Sequence, residues 1–198
     1  MIETPPAHAT QTPLANDAYL TRRRFLKMGS FLAASLFLPQ SIYALPRLKE
    51  GKERRLKLFN THTLERLDIC YHRNNEYRRD VLRSVNYLLR DHRTGEVHPI
   101  DLHLLDIMHA IQSASGRDSR LHIISGYRSP TTNARLRRRS RGVARKSLHM
   151  LGHAADIRIP GIPTAKVRRM ALELGMGGVG YYPRSDFVHI DIGPVRTW

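Results

Sequence analysis

The chain has a single cysteine, Cys70, in 198 residues. One thiol cannot close an intramolecular disulfide, and it excludes the thiolate-rich zinc sites that need several cysteines. Long apolar stretches are missing too. Met28 to Leu38 carries no charge, but at 11 residues it is too short to cross a bilayer comfortably. Acidic residues are scarce, 17 against 33 lysines and arginines, for a formal charge of +16. Such a field attracts anions: nucleic acid, a membrane surface or an acidic polymer. No internal repeat is visible. The length suits one domain with an appendage.

What is present starts with an address. Residues 1–20 are polar, with Pro5, Pro6 and Pro13 and no periodicity. Thr21-Arg22-Arg23-Arg24-Phe25-Leu26-Lys27 precedes the short apolar run, the order of a basic region and signal-peptide core. It resembles the twin-arginine export signal at every position, which implies the twin-arginine translocase as a partner during export and a periplasmic destination. Cleavage is expected after Ala44, with an inner-membrane tether as the outcome if the signal stays. Residues 1–44 hold four basic groups (Arg22, Arg23, Arg24, Lys27) and two acidic ones (Glu3, Asp17), so the rest keeps +14 of the +16.

Residues 45–54 read as a linker and 55–198 as one domain. Leu56–Thr61 and Leu67–Tyr71 are β-prone and suggest a hairpin. Glu76–Arg90 has helical spacing at Val81, Leu82, Val85, Leu88 and Leu89. A second helix should start at Asp101, a good N-cap, and bury Leu104, Leu105, Met108 and Ile111. Leu121–Ile124 reads as a strand, Thr131–Arg139 as a helix and Ala154–Ile159 as a strand. A helix beginning at Pro163 buries Val167, Met170, Ala171 and Leu174. Val179–Tyr182 and Phe187–Ile192 are the last strands. The order predicts an α+β domain with a largely antiparallel sheet packed by helices.

Two stretches carry candidate chemistry: Ser147-Leu148-His149-Met150-Leu151-Gly152-His153-Ala154-Ala155-Asp156, and Asp186-Phe187-Val188-His189-Ile190-Asp191. They offer two imidazoles and a carboxylate, enough for one zinc with a coordination position left open. His149 and His153 have the i, i+4 spacing of a helical zinc pair. Gly152 and the strand-like residues after it argue against a helix, and alternation turns His153 away from Asp156. An isolated strand histidine is more often a packed residue than a ligand.

Ser147, His149, Gly152, Ala154 and Asp156 match the S-x-H-x-x-G-x-A-x-D motif of the D-alanyl-D-alanine metallopeptidases, which share a hedgehog-like fold. That resemblance implies His149, Asp156 and His189 as ligands of one Zn²⁺ per chain. Ser125-Gly126-Tyr127-Arg128-Ser129 resembles the segment whose arginine contacts the substrate carbonyl. Arg128 inherits that role, and Ser125, Tyr127 and Ser147 become candidate substrate contacts.

The chain as a whole is similar to the YcbK-like branch of murein endopeptidases, over roughly residues 55–198. The implied activity is zinc-dependent hydrolysis of peptidoglycan cross-links. The alternatives are a DD- or LD-carboxypeptidase on stem peptides and a metal-containing peptidoglycan-binding module without turnover.

Many members of the family place an acidic residue three before the last histidine ligand, and Asp186 stands there. It is the preferred general base. Strand alternation instead puts Asp191 on the face of His189, as an orienting carboxylate or the alternative base. Asp186 would need a bulge or a strand start at Ser185 to reach that face. Cys70 has no motif linking it to a base.

Two further features have plainer readings. Gly175-Met176-Gly177-Gly178-Val179-Gly180 satisfies G-x-G-x-x-G but follows a helix and leads into a strand, the reverse of a dinucleotide loop. It reads as a helix stop and a close-packed turn. Arg135 to Lys146 holds seven basic residues in twelve. Only Tyr127 lies nearby, so there is no aromatic platform for single strands, and nucleic acid is not expected as a partner. Electrostatic contact with an anionic wall or membrane surface is the functional reading, and a solvated face the plain one.

Overall fold

The computed structural model describes residues 53–116, 119–140 and 142–198. The export signal, its processing site and residues 45–52 of the expected linker lie outside them. Glu53 and Arg54, the end of that linker, instead open the first strand. Their charges are used there: Glu53 pairs with Arg55 and Arg73, and Arg54 reaches the buried Asp106. Paired charges at a strand end look like a linker in sequence.

Eight strands form one sheet in the order β3-β2-β1-β4-β5-β7-β6-β8. They are β1 (Glu53–Asn60), β2 (Arg66–Arg73), β3 (Glu76–Tyr77), β4 (Leu121–Ser125), β5 (Ala154–Arg158), β6 (Gly178–Tyr182), β7 (Phe187–Asp191) and β8 (Arg196–Thr197). The β1–β4 and β6–β8 pairs are parallel and the other pairings antiparallel. The α+β architecture with a largely antiparallel sheet is therefore as expected. Asn74 and Asn75 both take positive φ in the two-residue turn from β2 to β3, the geometry that asparagine tolerates. This hairpin uses Glu76 and Tyr77, so the first helix is shorter than its apolar pattern suggested.

Four α-helices complete the described residues: α1 (Arg79–Leu88), α2 (Leu102–Ser115), α3 (Pro130–Arg139) and α4 (Thr164–Leu174). Asp101 caps α2 by accepting from His103 N at 2.8 Å, and Ser129 caps α3 by accepting from Thr132 N at 3.2 Å. Both satisfy a backbone donor that a helix start leaves orphaned. Val85 and Leu88 of α1, Leu104, Leu105, Met108 and Ile111 of α2, and Val167 and Met170 of α4 share one core with Leu56, Leu58, Leu121, Ile123, Ile157, Val188 and Ile190 of the sheet.

Alternation decides the rest. If Ile157, Val188 and Ile190 face the core, then Ala154, Asp156 and Arg158 of β5 and Phe187, His189 and Asp191 of β7 face the other way. The same parity puts Gly178, Gly180 and Tyr182 of β6 on that outer face. The candidate residues thus lie on the side of the sheet away from the helical core.

Candidate active site

Register brings the two motifs together. Asp156 lies directly opposite His189 in the β5–β7 ladder, and Ala154 lies opposite Asp191. His149 arrives from a 3₁₀ turn, Leu148–Leu151, just before β5. Gly152 ends that turn at φ +69, and a Cβ there would stand 2.1 Å from the Pro99 carbonyl oxygen. Only glycine meets both demands, which explains its place in the motif. Its carbonyl accepts from Asp101 N at 3.1 Å, tying the turn to the start of α2.

Three atoms converge. His149 Nε2 lies 3.2 Å from His189 Nδ1 and 3.3 Å from Asp156 Oδ1, and His189 Nδ1 lies 2.9 Å from Asp156 Oδ1. The partners behind them orient the rings. His149 Nδ1 sits 2.7 Å from the Gly126 carbonyl oxygen, which can only accept, so the ring donates there and Nε2 is a bare lone pair. His189 lies between two carboxylates, with Nε2 3.0 Å from Asp191 Oδ2 and Nδ1 2.9 Å from Asp156 Oδ1; with Nε2 donating to Asp191, Nδ1 is free to act as a ligand. Two imidazole nitrogens and a carboxylate oxygen thus converge on one point, a donor set that suits a cation. Ligands about 2.0–2.1 Å from a tetrahedral ion stand about 3.3 Å from one another, close to the observed triangle. The donor set fits zinc.

Burial would raise the Asp156 carboxyl, but His149 and His189 hold it well below the usual range. Burial likewise opposes charge on His189, yet Asp156 and Asp191 together raise its basicity. Asp191 has no side-chain exposure. Besides His189 it accepts from Gly178 N at 3.1 Å, Gly193 N at 2.8 Å and Arg196 through Nη1 at 3.1 Å and Nη2 at 2.7 Å. With every lone pair engaged it orients His189 and has no free oxygen with which to take a proton.

The Ser125–Ser129 segment forms the next layer. Gly126 has no room for a side chain, since a Cβ would lie 2.4 Å from Leu89 O. Arg128 N donates to His149 O at 3.1 Å, and Arg128 Nη2 lies 3.4 Å from Ser125 Oγ and 3.6 Å from Asp156 Oδ2. Burial pulls the guanidinium below its usual basicity, opposed by Asp156, and its Nε has no partner among the described residues. It is a largely desolvated cation beside the three ligand atoms. Tyr127 is buried and stacks on His98 at 4.7 Å, and Ser147 lines the cleft.

The structure does not bring Asp186 into this group. Strand β7 starts one residue later, and Asp186 takes a left-handed conformation at φ +51 after the 3₁₀ turn Pro183–Ser185. Its side chain is 61% exposed and turned toward Arg158 and Thr164. His153 also stays apart, its Nε2 3.9 Å from Asp101 Oδ2. Cys70 is buried, its thiol directed to His72 O.

Several contributors carried no sequence signal. The Gly126 carbonyl is a backbone atom. Asp91 accepts from Ser129 N at 2.9 Å and from Arg93 N at 2.9 Å, fixing the start of α3 behind Arg128. Burial pushes its carboxyl up, but hydrogen bonds from Thr132, Arg93 N and Ser129 outweigh that and leave it at about 2. A cleft of about 460 Å³ opens over the ligand atoms, bounded by Arg128, Lys146, Tyr182, Phe187, Arg196 and Trp198 among others.

Residues 49–198 match the M15 peptidase family model described as peptidoglycan L,D-endopeptidase MepK. The chain belongs to this family. A probable peptidoglycan L,D-endopeptidase MepK from Haemophilus influenzae is 42% identical over 178 residues, covering 89% of this chain and 95% of the relative. The peptidoglycan L,D-endopeptidase MepK of Escherichia coli K12 is 41% identical over 177 residues, covering 89% and 96%. The Shigella flexneri protein of the same name gives the same figures.

Proposed function

We propose that the protein is a zinc-dependent peptidoglycan endopeptidase that cuts L,D cross-links, the diaminopimelate-to-diaminopimelate bonds, during cell-wall remodelling. The observation that carries the reading is the convergence of two imidazole nitrogens and the Asp156 carboxylate at the floor of a cleft. The names of the relatives supply the substrate class and the L,D character of the bond. His149, Asp156 and His189 would hold the ion. Zinc bound there supplies Lewis-acid polarisation of the scissile carbonyl and activation of a water nucleophile.

The chain's own groups do the remainder. Gly126 O and Asp191 hold the two imidazoles in orientation from behind. The Arg128 guanidinium, desolvated and adjacent, stabilises negative charge developing on the carbonyl oxygen. A proton acceptor is still required. Asp191 is saturated, so Asp186 is the residue proposed for it, acting after its carboxylate leaves Arg158 and Thr164. Asp186→Asn is expected to lower kcat by about 10²–10⁴-fold with metal content unchanged; wild-type turnover in this variant would remove Asp186 from the reaction.

The sequence at Arg22–Lys27 supports export to the periplasm through the twin-arginine translocase. The basic run Arg135–Lys146 supports electrostatic attachment to the anionic wall or membrane surface. The test of the main reading is mass analysis of cross-linked muropeptides incubated with the zinc-loaded protein, with and without chelator. Dimers converted to monomers only in the presence of metal, with masses matching L,D cleavage, are the expected result. Loss of single terminal residues would mark a carboxypeptidase, and zinc binding without any product a binding module.

A further inference from the structure

The glycine run of β6 has a structural consequence next to the metal ligands. Gly180 faces outward beside His189, its partner in the β6–β7 ladder. A Cβ on Gly180 would stand 2.8–2.9 Å from three atoms of the Trp198 indole. The missing side chain is what lets the indole fold down onto the sheet. Four contacts fix it there. Trp198 N donates to Val179 O at 3.3 Å, and Tyr181 N donates to Trp198 O at 2.9 Å. The indole Nε1 donates to Tyr182 Oη at 2.9 Å, and the Arg196 guanidinium lies 4.9 Å from the ring centroid.

The residue so held is 48% exposed, its ring centroid 5.3 Å from the His189 ring, and it borders the cleft. Tyr182 and Phe187, stacked at 4.5 Å, line the same cleft. A large aromatic fixed from behind and open in front loses little entropy when it binds, which is the profile of an anchor rather than of core packing.

We infer that Trp198, supported by Tyr182 and Phe187, forms a substrate subsite for the methylene chain of the cross-linking diamino diacid of the stem peptide. This ligand rests on the endopeptidase reading above. The residue is an aliphatic chain bearing carboxylates, and the cleft offers both complements: an exposed aromatic surface for the chain and the cation Lys146 for a carboxylate. Apolar surface together with a few placed polar groups is how small-molecule sites achieve orientation. Trp198 acts by binding and takes no part in proton transfer.

Trp198 is the only tryptophan in the chain, so indole fluorescence reports this subsite without engineering. Full-length zinc-loaded protein is mixed with cross-linked muropeptide dimers in a stopped-flow instrument, acrylamide quenching is followed, and products are weighed from the same samples. Protection of the indole is expected to appear on mixing and to saturate near the KM of cleavage. Trp198→Ala is expected to raise KM about tenfold with kcat within about threefold and metal content intact, and Trp198→Phe to recover most of the loss.

Cleavage with no protection of the indole would overturn the subsite and leave the endopeptidase reading standing. So would an unchanged KM in Trp198→Ala, or loss of metal in Trp198→Ala that Trp198→Phe does not restore, which would make the indole a structural prop. Equal protection by a glycan disaccharide lacking the stem would overturn the assigned ligand. No cleavage of any muropeptide would overturn the proposed function, and the assigned ligand with it.

Discussion

Two buried carboxylate clusters lie against different parts of one sheet, one of them reached from helix α2, and they differ in what surrounds the carboxylate. Near β2 and β3, Asp106 accepts from Tyr71 Oη at 2.8 Å, Tyr77 Oη at 2.9 Å and Arg54 Nη1 at 2.7 Å. Every neighbour brings a proton, and the cluster is closed. Burial and the Asp106 charge both raise the Tyr71 hydroxyl far above its ordinary value, so it remains a donor. Between β5 and β7, the atoms nearest Asp156 are two imidazole nitrogens, whose rings are held from behind by Gly126 O and Asp191. Both carboxylates are buried. Obligate donors on every side mark the first as structural, and converging metal-ligating atoms mark the second as a cation site.

The most severe way to break this contrast is to remove a ligand. His149→Ala or Asp156→Ala is expected to abolish bound zinc and to lower cleavage more than about 10³-fold, with the fold retained. Zinc content and muropeptide products measure it. Stoichiometric zinc in either variant would mean that the three atoms are not the ligand set.

The next effect separates a ligand from the group behind it. Asp191→Asn keeps the size of the side chain but weakens its hold on His189, and is expected to reduce zinc affinity about 10–100-fold in competition with a chelating dye.

At the closed cluster the readout changes from metal to stability. Asp106→Asn removes the charge that faces Arg54 and one of the two acceptor oxygens that the tyrosine hydroxyls use, and should cost about 1–3 kcal/mol in denaturant unfolding while zinc content stays the same. A change in zinc affinity would show that the two clusters are coupled.

The smallest effect is expected from pH. The Asp91 carboxyl is held at about 2, below the ordinary carboxylate value of 3.8. A depressed folded pKa means that its stabilising contribution is complete above pH 3.8 and is lost as pH falls toward 2. Acid unfolding of Asp91→Asn should accordingly be shallower than that of the wild type in this interval, and identical slopes would remove Asp91 from the acid transition.

The sequence was most informative where side-chain identity and spacing carry the chemistry. His149, Asp156 and His189 could be picked out together because they match a family motif and its C-terminal histidine, and the helices α2 and α4 announce themselves through apolar spacing, α2 also through its cap. Backbone contributions were invisible. Nothing in the letters says that Gly126 O orients His149, or that Gly180 makes room for an indole contributed by a later segment. Strands β3 and β8 are two residues each, too short for any period to register. Asp186 illustrates a third limit. Counting back three residues from His189 cannot tell a strand start from a left-handed cap, and that difference decides which way the carboxylate points.

The bracket around His149 has a consequence for assembly. Its ring is held by Gly126 O, its own carbonyl by Arg128 N, and its turn by Gly152 and Asp101 N. None of these bonds involves a metal, so the pocket is shaped before an ion arrives. Folding and metallation are then separate events. In small zinc modules the ion is the scaffold, and the chain unfolds without it. Here a chelator should yield an inert but folded apoprotein with unchanged far-ultraviolet circular dichroism, and adding zinc back should restore cleavage without a refolding lag. A pocket built in this way can wait for its ion, whichever compartment supplies it.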